Sequence, residues 1–171
     1  MTRLRAGMMA VCAAAAFWSA GAQSTRQNPE DAPVQPIPFS HKAHAGDMNM
    51  ACKDCHPNPN PGETMTIVGP SFCMDCHGSL YVDSPAIRRL AAAAKEGSRI
   101  PWMRVYQIPD FVFFSHRTHL DKGNTCKDCH GDVAQRDRLY RETDLSMGGC
   151  MECHRAKKAS LDCSYCHDQP Q

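Results

Sequence analysis

Ten cysteines of this chain fall into five pairs, and each pair is followed at once by a histidine: Cys52/Cys55-His56, Cys73/Cys76-His77, Cys126/Cys129-His130, Cys150/Cys153-His154 and Cys163/Cys166-His167. Two thiols at this spacing can each add to a vinyl group of one haem, and the histidine beside them then lies under the iron as an axial ligand. C-x-x-C-H is therefore the attachment pattern of haem c. A zinc ribbon would use the C-x-x-C pairs but has no reason to place a histidine after every one. A disulfide framework has no use for the spacing at all. The sequence predicts five covalently bound haem c groups.

Nine histidines are present, and five belong to these motifs. The other four, His41, His44, His116 and His119, all lie in two copies of F-S-H-x-x-H, at 39–44 and 114–119. A stray histidine is ordinarily a surface or core residue, but here every spare one is spent in the same repeated motif. They are expected to close the distal faces of haems. Two imidazoles fill both axial sites of an iron, which makes it low-spin and suits it to electron transfer rather than substrate binding.

Five haems have ten axial positions, and nine histidines cannot fill them. Met147, in Ser146-Met147-Gly148-Gly149-Cys150, is the first candidate for the tenth, with Met65 next and Met48, Met50 and Met103 behind. The alternatives are that Met147 only packs on a porphyrin, as methionine often does, or that the position is open. A His/Met haem would sit at a higher potential than its bis-histidine neighbours.

The elements that must position these ligands repeat. F-S-H-x-x-H followed by C-K-D-C-H occurs at 39–56 and again at 114–130, each followed by a second haem motif, and the latter half adds a third. The expected organisation is a polar, proline-rich leader at 23–38, a two-haem module at 39–82, a linker with a helix at 83–113, and a three-haem module at 114–171. The best helix runs from Pro85 to about Glu96, with Ser84 before it, Pro85 opening it and Gly97 to end it. PNPNPG at 57–62 is a turn-rich loop, and the apolar stretch 100–114, broken by two prolines, is expected to be extended but unpaired. Short helical turns are expected at the haem motifs. The fold class is a mostly irregular, small α-helical multihaem fold with little sheet. About 30 residues per haem are too few to enclose each macrocycle and also build a normal apolar core, so the haems are the core.

Residues 1–22 carry Arg3 and Arg5, an apolar run from Met8 to Ala20, and Ala20-Gly21-Ala22. This reads as a signal peptide cut after Ala22, with an uncleaved membrane anchor as the alternative. The apolar run is short for a span of roughly 20 residues, and Met9-Ala10-Val11 makes Cys12 a poor lipid-attachment site. Export to the periplasm agrees with the cysteines, because haem is attached to C-x-x-C-H outside the cytoplasm. Without that segment 17 basic and 18 acidic residues remain. The ten propionates of five haems would make the holoprotein acidic, and nothing suggests a nucleic-acid partner.

The F-S-H-x-x-H and C-x-x-C-H spacing resembles the class III multihaem cytochromes c. That resemblance implies pairing of His41 with His56, His44 with His77, His116 with His130 and His119 with His154, and it leaves Met147 as the partner of His167. Ile100-Pro101-Trp102, Pro109-Asp110-Phe111-Val112, Phe114-Ser115-His116, Cys129-His130-Gly131 and Ser146-Met147-Gly148 running into Cys150 and Cys153-His154-Arg155 are similar to the pentahaem cytochrome c subunit of alternative complex III and related quinol-oxidising complexes. That similarity implies partners: a membrane quinol-oxidising module, an iron–sulfur or molybdopterin-type subunit, and an outgoing cytochrome. The expected function is single-electron transfer along a haem chain, as a complex subunit or a free periplasmic shuttle. An enzyme with one open haem is a third reading, but no cluster of acid–base residues supports it. No catalytic residue or small-molecule substrate is assigned.

Overall fold

The computed structural model describes residues 25–167. The expected signal peptide and Cys12 lie outside them. The described chain is short helices joined by irregular segments, with no strand among the described residues. The α-helices are α1 (Cys52–Cys55), α2 (Pro70–His77), α3 (Pro85–Glu96), α4 (His116–Asp121), α5 (Cys126–His130), α6 (Met147–Ala156) and α7 (Ser164–His167). A π-helical turn covers Lys42–Asp47. Among the described residues no helix is long and apolar enough to cross a membrane.

Each haem motif lies on a helical turn, and two of these turns are closed by the aspartate inside C-K-D-C. The Ala51 N–H donates to the Asp54 carboxylate at 2.9 Å, and the Thr125 N–H to Asp128 at 2.7 Å. These bonds satisfy a donor that a helix start leaves orphaned. The Thr125 N–H also holds the Asp128 carboxyl below its usual range. The helix expected at 85–96 has those bounds. Pro85 needs no N–H at its first position, and Gly97 ends it at φ 66°, where a side chain would be strained. The Ser84 hydroxyl caps nothing. The stretch 100–114 forms no strand, since its prolines cannot feed a ladder, but it is not extended throughout: it turns at 110–112, where the Val112 N–H donates to the Pro109 carbonyl at 2.9 Å.

Two halves interlock by the same rule in both directions. The Arg117 N–H donates to the Gly62 carbonyl and the Lys42 N–H to the Arg136 carbonyl, each at 2.9 Å. Lys42 and Arg117 follow the first histidine of their F-S-H-x-x-H motifs, and Gly62 and Arg136 each lie six residues beyond a motif histidine, His56 and His130. The distal motif of each half thus docks on the loop that follows the first haem motif of the other. Ser40 Oγ adds a 2.6 Å bond to Asp137, and Arg117 reaches Asn60.

The protein core is very small. Ala32, Ile37, Pro70, Leu90, Ala93 and Val105 are the buried apolar side chains among the described residues, while Phe72, Tyr81, Phe111, Phe113 and Tyr165 are exposed. A chain of this length ordinarily buries most of its large apolar side chains against one another.

Candidate haem sites

The F-S-H-x-x-H motif works as one device. Phe39 stacks on His44 with ring centres 4.4 Å apart and meets His41 edge-on at 4.8 Å. Phe114 does the same to His119 at 4.4 Å and His116 at 4.9 Å. The serine hydroxyl caps the turn, accepting from the Ala43 N–H at 3.0 Å in one copy and from the Thr118 N–H at 3.3 Å in the other. The serine carbonyl accepts from Nδ1 of the second histidine, 2.8 Å for Ser40 and His44 and 2.8 Å for Ser115 and His119. The sequence marks the histidines; the phenylalanine and serine are what hold them.

Backbone carbonyls also fix other rings. His116 Nδ1 donates to Glu63 O at 2.7 Å, His56 to Thr66 O at 3.1 Å, His77 to Leu80 O at 3.3 Å and His154 to Ser160 O at 2.7 Å. A carbonyl can only accept, so in these six histidines the proton is on Nδ1 and the Nε2 lone pair is free for a metal.

The rings meet in twos. His41 faces His56 at 6.3 Å between centres with planes 5° apart, and His116 faces His130 at 6.5 Å and 2°. His44 faces His77 at 6.2 Å and 53°, and His119 faces His154 at 6.1 Å and 43°. A metal–imidazole bond is about 2 Å and half a ring adds about 1.1 Å on each side, so one ion between two imidazoles sets their centres about 6.2 Å apart. The four spacings fit an iron ligated on both faces. Among the described residues no three His, Cys, Asp or Glu side chains converge on a bare ion, as zinc would need. The ten described cysteines form no disulfide.

Burial lowers the His41 pKa to about 4, helped by neighbouring His56 and His44. Burial likewise lowers His130, helped by His116 and His56. Both rings are neutral at pH 7, the form that ligates. His167 faces no histidine; the ring against it is Phe111, at 6.0 Å and 26°. Met147 opens α6 and is 63% exposed.

The motifs form a row. Burial raises the pKa of Cys73, Cys126, Cys129 and Cys150, and in each the next cause is a thiol of another motif: Cys55, Cys52, Cys153 and Cys166 respectively. Neighbouring thiols disfavour a second negative charge. The row runs from the His77 motif through His56, His130 and His154 to His167, with the two halves meeting at His56 and His130.

Residues 112–168 match the family model described as cytochrome c7 and related cytochrome c. Over 161 aligned residues the chain is 34% identical to a protein of Nitratidesulfovibrio vulgaris named menaquinone reductase, multiheme cytochrome c subunit, covering 78% of this chain and 76% of that one. The chain belongs to the multihaem cytochromes c. A multihaem cytochrome c carries covalently bound haem and transfers electrons, and its haem-packed, strandless fold accounts for the missing protein core.

Tyr106 and the Arg136–Glu142 pair were not marked by the sequence. Tyr106 Oη donates to the His130 carbonyl at 2.9 Å, accepts from the Glu142 N–H at 3.2 Å, and its ring meets His130 edge-on at 4.5 Å. Arg136 grips Glu142 with two bonds, 2.6 and 3.0 Å, and Glu142 also accepts from the Asp132 N–H. Their only sequence signal is a Tyr and an oppositely charged pair in irregular segments. Arg136 holds the Glu142 carboxyl below its ordinary 4.5, so the stabilisation is full above the unfolded-state value and is lost as pH falls through the folded one. Glu142→Gln is expected to cost about 1–2 kcal/mol at pH 7. In acid denaturation curves its gap from wild type should begin to narrow below about pH 4.5 and close only below the lower folded-state value.

Proposed function

We propose that this cytochrome is an exported five-haem electron wire that serves a quinone-linked, membrane-associated respiratory complex in the periplasm. The single observation that carries the wire is the set of four facing histidine pairs, each at the spacing of one iron. In this reading Cys52, Cys55, Cys73, Cys76, Cys126, Cys129, Cys150, Cys153, Cys163 and Cys166 hold five haems in a two-haem part (39–82) and a three-haem part (114–171). His56, His77, His130, His154 and His167 are their proximal ligands. His41, His44, His116 and His119 close four distal faces, and the tenth position is the one the sequence offers to Met147.

Haem supplies a one-electron couple whose iron changes valence with little rearrangement when both axial sites are filled. The chain's own part is spacing and orientation. Tunnelling falls steeply with distance, so neighbouring motifs in contact make a path from the His77 end to the His167 end. The backbone carbonyls on Nδ1 fix six of these rings and raise their basicity.

The respiratory assignment is supported by the relative's name and by the 100–155 similarity to quinol-oxidising subunits. One is named for quinone reduction and the other oxidises quinol, and a haem wire conducts either way. What they share is a complex that acts on a quinone; the iron–sulfur or molybdopterin-type partner is implied by the 100–155 similarity alone. Purification of the tagged protein from its native membranes, with haem counting, tests both parts. Five haems per chain and co-purification with quinone-reactive membrane subunits are expected. Recovery of a five-haem protein alone from the periplasmic fraction would instead make it a diffusing shuttle.

A further inference from the structure

The carbonyls that hold Nδ1 are not shared evenly among the four facing pairs. In His44/His77 both rings have one, Ser40 O at 2.8 Å and Leu80 O at 3.3 Å. In His119/His154 both have one again, Ser115 O at 2.8 Å and Ser160 O at 2.7 Å. In His41/His56 only His56 has one, Thr66 O at 3.1 Å, and in His116/His130 only His116, Glu63 O at 2.7 Å. Among the described residues no group accepts from the ring of His41 or of His130. Each instead meets an aromatic ring edge-on, Phe39 at 4.8 Å and Tyr106 at 4.5 Å. The Tyr106 hydroxyl bonds the His130 main-chain carbonyl, not its imidazole. Burial pushes the pKa of both rings down, His41 to about 4, so bulk water is a poor substitute acceptor. The two half-bonded pairs are also the two at the seam. His41 and His116 stand beside Lys42 and Arg117, whose N–H groups join the halves.

We infer that the four paired irons fall into two classes of potential, with the His41/His56 and His116/His130 haems at the seam taking electrons more readily than the His44/His77 and His119/His154 haems that flank them. The inference rests on the reading of the facing histidines as paired iron ligands. An Nδ1–H held by a carbonyl makes imidazole a stronger donor and favours ferric iron. A pair with one such bond fewer favours it less. The row is therefore a well with its floor at the seam. Two haems there hold two electrons, the number that a quinone gains or loses.

The test is a potentiometric titration of the mature holoprotein followed by electron paramagnetic resonance. The seam pairs have nearly parallel planes, 5° and 2°, and the flanking pairs tilted ones, 53° and 43°, so their ferric signals differ and identify the haems. On reduction the signals of the parallel pairs are expected to vanish first, with an electron held about tenfold more firmly, or about 59 mV higher. In His116→Met the component that moves should start as one of that upper pair. Loss of the tilted-pair signals first, or of all four together, would overturn the inference. So would a His116→Met protein whose shifted component starts in the lower pair. Fewer than four low-spin haems, or no response to His116→Met, would instead overturn the facing-pair reading itself, so the two failures are distinguishable.

Discussion

Replacing His116 with methionine is expected to raise the midpoint potential of one haem by on the order of 0.1 V, within the roughly 0.8 V range that axial ligands command. His116 faces His130 with parallel planes and donates Nδ1–H to Glu63 O at 2.7 Å. That bond makes the imidazole a stronger donor and favours ferric iron, whereas a thioether is neutral and favours ferrous. The His130 motif sits in the middle of the row, so the substitution places a trap there. At 59 mV per tenfold for one electron, 0.1 V holds an electron about fifty times more firmly on that haem. A potentiometric titration should show one component moving up, and stopped-flow reduction should show slower passage to the far end. If no component moves, His116 is not an iron ligand.

The second large effect is expected at the seam between the halves. Gly62 has φ +96°, and a Cβ there would come within 2.8 Å of Arg117 Cβ. Its carbonyl is also the acceptor that docks the Arg117 N–H, next to His116. Gly62→Ala therefore combines an unfavourable backbone conformation with a clash against a side-chain root that cannot swing away. The loss is expected to be about 2–4 kcal/mol. Chemical denaturation of the holoprotein would show a lowered midpoint, and the His116 haem should be the first to change its spectrum. Gly97→Ala also has positive φ but open space around its Cβ, so it should cost only about 1 kcal/mol. A Gly62→Ala protein as stable as Gly97→Ala would mean that the seam does not position His116.

How much of this was legible in the sequence follows from what kind of interaction holds each part. The C-x-x-C-H and F-S-H-x-x-H motifs and the 85–96 helix are local patterns, and their residues announce themselves. The little-sheet fold follows from prolines and from a residue count too low for a protein core. The seam was not legible, because it is made of backbone bonds between segments up to 94 residues apart, Lys42 to Arg136, and a carbonyl has no residue type. Tyr106 was hidden for the same reason: what it holds is the His130 carbonyl. Phe111 was read only as part of a family-like run, and nothing in Pro109-Asp110-Phe111 says which histidine it will face. The order of the row, with the His56 and His130 motifs adjacent in the middle, also needs the fold.

The account stands on four irons held between paired imidazoles in two geometries, and electron paramagnetic resonance of the fully oxidised holoprotein reads both at once. Parallel imidazole planes separate the iron d orbitals, while tilted planes bring them towards degeneracy and drive the largest g value up. His41/His56 and His116/His130 are nearly parallel at 5° and 2°, and His44/His77 and His119/His154 are tilted by 53° and 43°. The expected spectrum has two low-spin haems of ordinary rhombic type and two with a raised largest g value. Fewer than four low-spin haems, or four of a single type, would contradict the pairing on which the wire is built.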